Sequence, residues 1–238
     1  MTNKENINSP QKIARVAAIV FVLIFILGMP TELFIRPGMI VPGDAAATVK
    51  NIAASESLFR LSIVSDLIRL MFLMLLPLLL YKLLKPVNKN IASLMVIFAL
   101  AIVPISMLNE LNHFAALLLS SGADYLRALE TDQLHALVMF FLDLRKYGTS
   151  IPQVFSLWVL FLGYLVFKSG FLPRILGILL IIGGLCYTVL AVLFFLFPNL
   201  DLMIFGLFAI IGEMIFYLWL LIKGINVEEW NKRALESA

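Results

Sequence analysis

LFRLSIVSDLIRLMFLMLLPLLLYKLL, residues 58–84, followed after a short basic turn by IASLMVIFALAIVPISMLNELNHFAALLL, residues 91–119, decides the fold class. Each run exceeds the roughly 20 apolar residues that carry a helix across a bilayer core of about 30 Å. The loop between them, KPVNKN, is too short to do more than reverse the chain, so the two runs form an antiparallel helical hairpin. Only helices and closed barrels satisfy every backbone N–H and C=O inside lipid. Runs this long and this continuous read as helices.

The rest of the chain follows the same pattern. Of its 238 residues, 62% are hydrophobic and only 14% are charged, with a mean hydropathy of +1.01. Soluble domains are about 45–50% apolar and about 25% charged. A water-soluble enzyme, a nucleic-acid binder and a disordered chain are therefore excluded. The net charge of +3 is too small for a nucleic-acid surface. One cysteine, Cys186, sits in an apolar run; it permits no intramolecular disulfide, C-x-x-C pair or thiolate metal cluster. Further apolar runs occupy residues 13–29, 151–167, 172–197 and 202–222. The first resembles a signal peptide only superficially. It is longer than an h-region and has no small-residue cleavage site close behind it, Ala45-Ala46-Ala47 lying too far downstream. It is expected to end at Pro30. The Pro37-Gly38 and Pro42-Gly43 pairs then mark turns, and Asp44 is placed to N-cap a helix over 45–55 that runs on into the next span.

The run at 134–144 is too short to cross, and charge decides how to treat it. Lysine and arginine concentrate in cytoplasmic loops. Lys4, Lys12 and Arg15, then Lys82, Lys85 and Lys89, then Lys168 and Arg174, then Lys223, Lys232 and Arg233 all fall on one side only if 134–144 does not span. The other side then carries Glu32, Asp44, Asp124, Glu130, Asp132 and Asp201. The expected architecture is all-α: a polytopic bundle of six spans with both termini cytoplasmic, plus a short amphipathic or re-entrant helix near 126–146. Arg145-Lys146 counts against it, because this arrangement leaves the pair outside. A seven-span alternative brings the pair inside and exports KSGFLPR and the C-terminus. By this reading 1–12 is a flexible polar tail, 13–224 a single membrane domain and 225–238 a polar C-terminal tail. No internal repeat is visible, so the inverted halves of many transporters are not indicated.

Candidate chemistry lies in the few ionisable residues within the spans, each costing about 2.5–3.5 kcal/mol at mid-bilayer on insertion scales. Ser62, Asp66 and Arg69, with Ser65 beside them, share one helix face at i, i+4, i+7, and Asp66 and Arg69 are spaced to pair. On the next span Asn109, Glu110, Asn112 and His113 gather within one turn. A turn centred between Val87 and Asn88 sets residue i level with residue 175 − i. Asp66 then lies level with Asn109, and Ser62 level with His113. Asp66 is about 12 Å from the start of its span at 1.5 Å per residue, which predicts one polar cluster in the outer half of the membrane. Glu213 shares a helix face with Gly206 and Ala209, a small-residue stripe of the kind that packs helices, and is expected to point into the bundle. His135 and Asp143 lie on the short helix.

Each of these residues has a structural reading as well: an internal ion pair for Asp66–Arg69, interhelical hydrogen bonds for the asparagines, a satisfied buried histidine for His113. The chain lacks H-E-x-x-H, G-x-S-x-G, Walker A and dinucleotide-binding glycine patterns. Two histidines cannot make a His₃ zinc site, and no metal or other cofactor is expected. Three functions compete. One is a pocket, lined by Ser62, Asp66, Arg69, Asn109, Glu110, His113 and Glu213, that binds or transports a small or amphipathic ligand. A second is an intramembrane enzyme acting on lipid through the same carboxylates and His113. The third is an accessory protein whose polar residues only lock the bundle. Lack of a catalytic motif weighs against the enzyme. The expected partners are membrane lipids and an amphipathic ligand, with no nucleic acid, and the oligomeric state is open.

The stretches GDAAATVKNIAA (43–54), LFRLSIVSDLI (58–68), LYKLLKPVNKN (80–90), GYLVFKSGFLPRILGILL (163–180) and GE…WLLIKG (212–224) together resemble a bacterial multi-pass membrane family catalogued as domain of unknown function 4386. The resemblance runs from about Arg15 to Asn226. It implies a protein of the bacterial inner membrane and supplies no activity or catalytic residues.

Overall fold

The computed structural model describes residues 9–197 and 203–237, with side chains from 206 onward in the second stretch. Residues 1–8 of the expected N-terminal tail, including Lys4, and Asp201 of the expected outer loops lie outside the described residues. The described chain is helical and contains no strand. In order it comprises α1 (Pro10–Pro30), a π-helical turn (Thr31–Ile35), α2 (Ala45–Ala54), α3 (Glu56–Leu84), α4 (Lys89–Leu119), a 3₁₀ turn (Asp124–Ala128), α5 (Thr131–Gly148), the short α6 (Ser150–Gln153), a 3₁₀ turn (Val154–Ser156), α7 (Leu157–Ser169), α8 (Arg174–Leu196), α9 (Met203–Ile222) and α10 (Val227–Glu236).

Among the described residues five helical stretches are long and apolar enough to cross a membrane: Pro10–Ile35, Glu56–Leu84, Lys89–Leu119, Thr131–Ser169 and Arg174–Leu196. A sixth is the pair Gly206–Ile222 and Val227–Glu236, bent by 102°, if the pair counts as one span. The protein is a polytopic helical membrane protein. The expected short helix near 126–146 is present as α5, which lies within a helical stretch of 39 residues, Thr131–Ser169, that also includes the apolar run at 151–167.

Two other expectations are refined. Pro30 does not stop the helical coil. The chain widens into a π-turn instead, in which the Arg36 N–H reaches back five residues to Thr31 O at 3.1 Å and the Thr31 hydroxyl donates to Gly28 O at 2.7 Å. The regular α-helix ends at Pro30, where the proline lacks an N–H and crowds the preceding turn, and the coil continues as the wider turn. Asp44 does cap α2, its Oδ1 accepting from Ala47 N at 2.8 Å. The chain breaks at Ser55 (φ −124°, ψ 34°) before α3 rather than running straight on. Gly43, at φ +79°, makes the turn that sets up this cap.

By packing, the described chain divides into two compact units, and α1, α3, α4 and α6 contribute residues to both. One unit comprises Leu23–Met71 and Pro104–Ile151. Its apolar core is Met39, Ile52, Phe59, Ile63, Ala116, Leu117, Val138 and Leu142. Phe59 and Ile63 of α3 and Val138 and Leu142 of α5 lie at i, i+4, so each of these helices turns one stripe inward; α4 adds the adjacent Ala116 and Leu117, and α2 packs on α5. Exposed Leu61, Val64, Ile68 and Met71 form the opposite face of α3, the inverted pattern expected where lipid rather than water is the solvent.

The other unit comprises residues 9–22, 72–103 and the described residues from Pro152 onward. Here glycines bring backbones together. A Cβ on Gly177 of α8 would lie 2.7 Å from Phe167 Cα of α7, and one on Gly184 would lie 2.9 Å from Leu160 N. Gly183 meets Ala209 of α9 in the same way, a Cβ there lying 3.2 Å from Ala209 O. Lipid supplies no hydrophobic drive between helices, so close van der Waals contact through small residues takes its place. Phe21 stacks on Tyr217 at 3.9 Å between centroids. The C-terminal segment is not extended. Asn226 caps α10, and Trp230 Nε1 donates to Leu83 O at 2.8 Å.

Candidate functional site

The site lies within the first of these units, and α3 supplies its centre. Asp66 is fully buried. Its Oδ1 accepts from Arg69 Nε at 3.0 Å, the i, i+3 pair that the spacing predicts. Its Oδ2 accepts from Arg36 Nη2. Ser62 lies on the same face, but its hydroxyl is spent on its own helix, donating to Phe59 O at 2.7 Å. Ser65 donates to Leu27 O at 2.8 Å.

From α4 come Glu110, 2% exposed, and His113, 3% exposed. His113 Nδ1 lies 2.9 Å from Glu110 Oε2. Glu110 Oε1 accepts from Arg145, with Nη2 at 2.6 Å and Nε at 3.0 Å, a two-pronged contact. Asn109 Nδ2 donates to Arg145 O at 2.9 Å, and Asn112 Nδ2 donates to Asn109 Oδ1 at 2.9 Å. The asparagines thus hold α5 against α4. Arg145 Nη1 also meets the Thr149 hydroxyl. Phe59 sets its ring edge-on to His113 at 5.6 Å.

Asp66 and Glu110 share the same two guanidiniums: Arg36 Nη2, bonded to Asp66, is 4.0 Å from Glu110 Oε2, and Arg145 Nη2, bonded to Glu110, is 3.8 Å from Asp66 Oδ2. A third carboxylate, Glu32 of the π-turn, reaches both arginines, Arg36 at 2.6 Å and Arg145 at 3.5 Å. Three carboxylates (Glu32, Asp66, Glu110) therefore face three guanidiniums (Arg36, Arg69, Arg145).

Sequence reasoning missed Glu32, Arg36 and Arg145. Glu32 enters the sequence reading as a loop charge and Arg145 as an outer-side cation of the short helix, both only as topology markers. The available signal was charge compensation. Two carboxylates inside spans need two cations, since an unpaired buried charge costs several kcal/mol, and Arg69 provides one. The turn after Pro30 and the helix at 131–148 held the unassigned arginines. Arg145 is 7% exposed and fully engaged, so it is no loop cation; Lys146 beside it is exposed.

Glu213 belongs to the other unit. It is buried, as its small-residue face predicts, and the buried Tyr217 hydroxyl of the same helix has no hydrogen-bond partner among the described residues. His135 is half-buried and Asp143 is exposed, both on α5. Among the described residues no three His, Cys, Asp or Glu side chains are grouped to hold a metal ion. The cluster can hold charge, orient an ionic group or pass a proton between Glu110 and His113. It holds no nucleophile activated by a base.

The family model for the domain of unknown function DUF4386 matches residues 16–224, nearly the whole membrane domain. The chain belongs to the DUF4386 family. All five stretches that carry the resemblance lie inside the matched range. An uncharacterised protein of Archaeoglobus fulgidus is 32% identical over 152 residues, covering 63% of this chain and 75% of the relative. No solved structure matches this DUF4386 chain.

Proposed function

We propose that this membrane protein binds a small or amphipathic ligand at the cluster of Asp66, Glu110, Arg36 and Arg145, with transport or sensing built on that binding. One observation carries the reading. Two buried carboxylates from different helices share two buried guanidiniums, in a chain where each intramembrane ion costs about 2.5–3.5 kcal/mol. Apolar packing would join the same helices at lower cost, and clustered ionisable groups within spans mark binding sites and ion pathways. Arg69 and Glu32 leave one side of the cluster accessible, at 25% and 50% side-chain exposure. The balance of three anions and three cations favours a second reading, a purely structural lock.

Native mass spectrometry of the full chain with three amphipaths of one tail length separates the two: dodecanoate, dodecyltrimethylammonium and dodecyl maltoside. A site predicts that a charged probe is retained stoichiometrically, and that Arg145→Lys, which keeps the charge but not the planar fork, weakens retention about tenfold or more. Equal retention of all three probes by both proteins would establish the lock.

The same reading places the protein in a bacterial cytoplasmic membrane with its N-terminus cytoplasmic. Engagement of Arg145 inside the cluster supports this, since it removes one of the two cations that stood against six spans. In a Cys186→Ser background, single cysteines at Asn88 and Ser121 are expected to react with a membrane-impermeant maleimide from opposite sides of intact cells, Ser121→Cys from outside. Labelling of Asn88→Cys alone from outside would invert the topology.

A further inference from the structure

Glu32 differs from the other carboxylates of the cluster. Asp66 and Glu110 are sealed in, but Glu32 is half-exposed while still reaching both Arg36 and Arg145. It sits in the π-turn, an irregular piece of helix that is more easily rearranged than the α-helices around it. Its neighbours Leu33 and Phe34 are apolar and exposed, at 54% and 73%. Arg36, 4% exposed, has a buried Nε with no hydrogen-bond partner. A guanidinium carries five N–H donors, and the carboxylates here take up only its Nη1 and Nη2 atoms.

We infer that Arg36 and Arg145 form a fork for an external anionic head group, and that the Glu32 carboxylate is its tethered occupant, displaced when the ligand binds. This deepens the binding-site reading and rests on it. The ligand class is an amphipath with a carboxylate or phosphate head, whose oxygens replace those of Glu32 and whose tail lies along Leu33 and Phe34. Such heads match the planar donor fork of arginine. Exchange at Glu32 is inexpensive, because a half-exposed carboxylate recovers hydration as it swings away. Exchange at Asp66 or Glu110 would strand a buried charge. An anion is selected over a cation because departure of Glu32 leaves the cluster with one uncompensated positive charge.

The test titrates dodecanoate, dodecyl phosphate, inorganic phosphate and dodecyltrimethylammonium onto the full chain in phosphatidylcholine nanodiscs, reading Kd by thermophoresis, and repeats the dodecanoate titration in phosphatidylglycerol nanodiscs. Glu32→Gln removes the competitor and keeps the shape, so the anionic amphipaths are expected to bind it about tenfold tighter than wild type. Arg145→Lys is expected to bind them about tenfold more weakly than wild type. Weakened dodecanoate binding in phosphatidylglycerol identifies a lipid head group as the natural source; tightening of inorganic phosphate alone identifies a free anion, and either supports the fork. Unchanged anion affinity in Glu32→Gln overturns the displacement, and if Arg145→Lys still weakens binding the wider site reading survives. Preference for the ammonium probe overturns the anion assignment while leaving a ligand site. No binding of any probe to any protein overturns both.

Discussion

Arg145→Met is expected to destabilise the protein by about 3–5 kcal/mol, the usual cost of leaving a buried charge without its partner. Glu110 then keeps only its His113 contact at 2.9 Å and Arg36 at 4.0 Å, and three carboxylates face two guanidiniums. Thr149 and Glu32 each lose a partner as well. The informative comparison is Glu110→Gln/Arg145→Met. It removes both charges, fills the guanidinium space with an apolar chain and keeps an amide oxygen for His113. Buried ion pairs replaced together are often neutral or stabilising, so the double variant is expected to recover most of the loss. Thermal unfolding of the full chain in detergent, followed by size exclusion, measures both. A double variant as unstable as the single one would show that the cost lies in lost packing of α5 rather than in the stranded carboxylate. Stability and binding also separate here: a stable double variant that no longer retains dodecanoate assigns the ion pair to function.

Gly177→Leu is expected to have an effect of similar size through a wholly different cause. A Cβ at Gly177 would stand 2.7 Å from the Phe167 Cα, and backbone cannot step aside as the end of a side chain can. The α7–α8 contact must open, losing the close packing that stands in for the hydrophobic effect in lipid. A loss of several kcal/mol follows from overpacking on this scale, read as failure to accumulate in the membrane fraction and a collapsed monodisperse peak. Gly206→Ala is the control. Among the described residues its Cβ would meet only Leu190 Cδ1, at 3.7 Å, an ordinary contact, so it is expected to behave as wild type. Equal loss in both variants would refute the steric account.

The site was half legible. Asp66, Arg69, Glu110 and His113 followed from helical spacing, and the length of the 85–90 loop set α3 level with α4, because a hairpin turn leaves no freedom of register. Glu32, Arg36 and Arg145 were not legible by spacing. Glu32 and Arg36 form an i, i+4 pair of their own, but Arg36 lies 30 residues from Asp66 and Arg145 lies 35 residues from Glu110, and no periodicity links such positions. The positive-inside count also treated every arginine alike, whereas a buried, neutralised arginine carries no topological weight. Pro30 misled for a local reason: proline ends many helices, but here a threonine hydroxyl and a five-residue hydrogen bond continue the coil.

The amino-acid sequence by itself determined that the chain is a polytopic helical membrane protein, where its apolar stretches lie, and the family it belongs to. Those properties depend on hydrophobic run length and on ordered local motifs, which are additive along the chain. Only the tertiary structure decided which charges meet. It joined Arg36 and Arg145 to Asp66 and Glu110, left Glu32 half-exposed, and assigned Glu213 to a different unit. Buried electrostatics depends on distances of a few ångströms between residues remote in sequence, and folding alone supplies those distances.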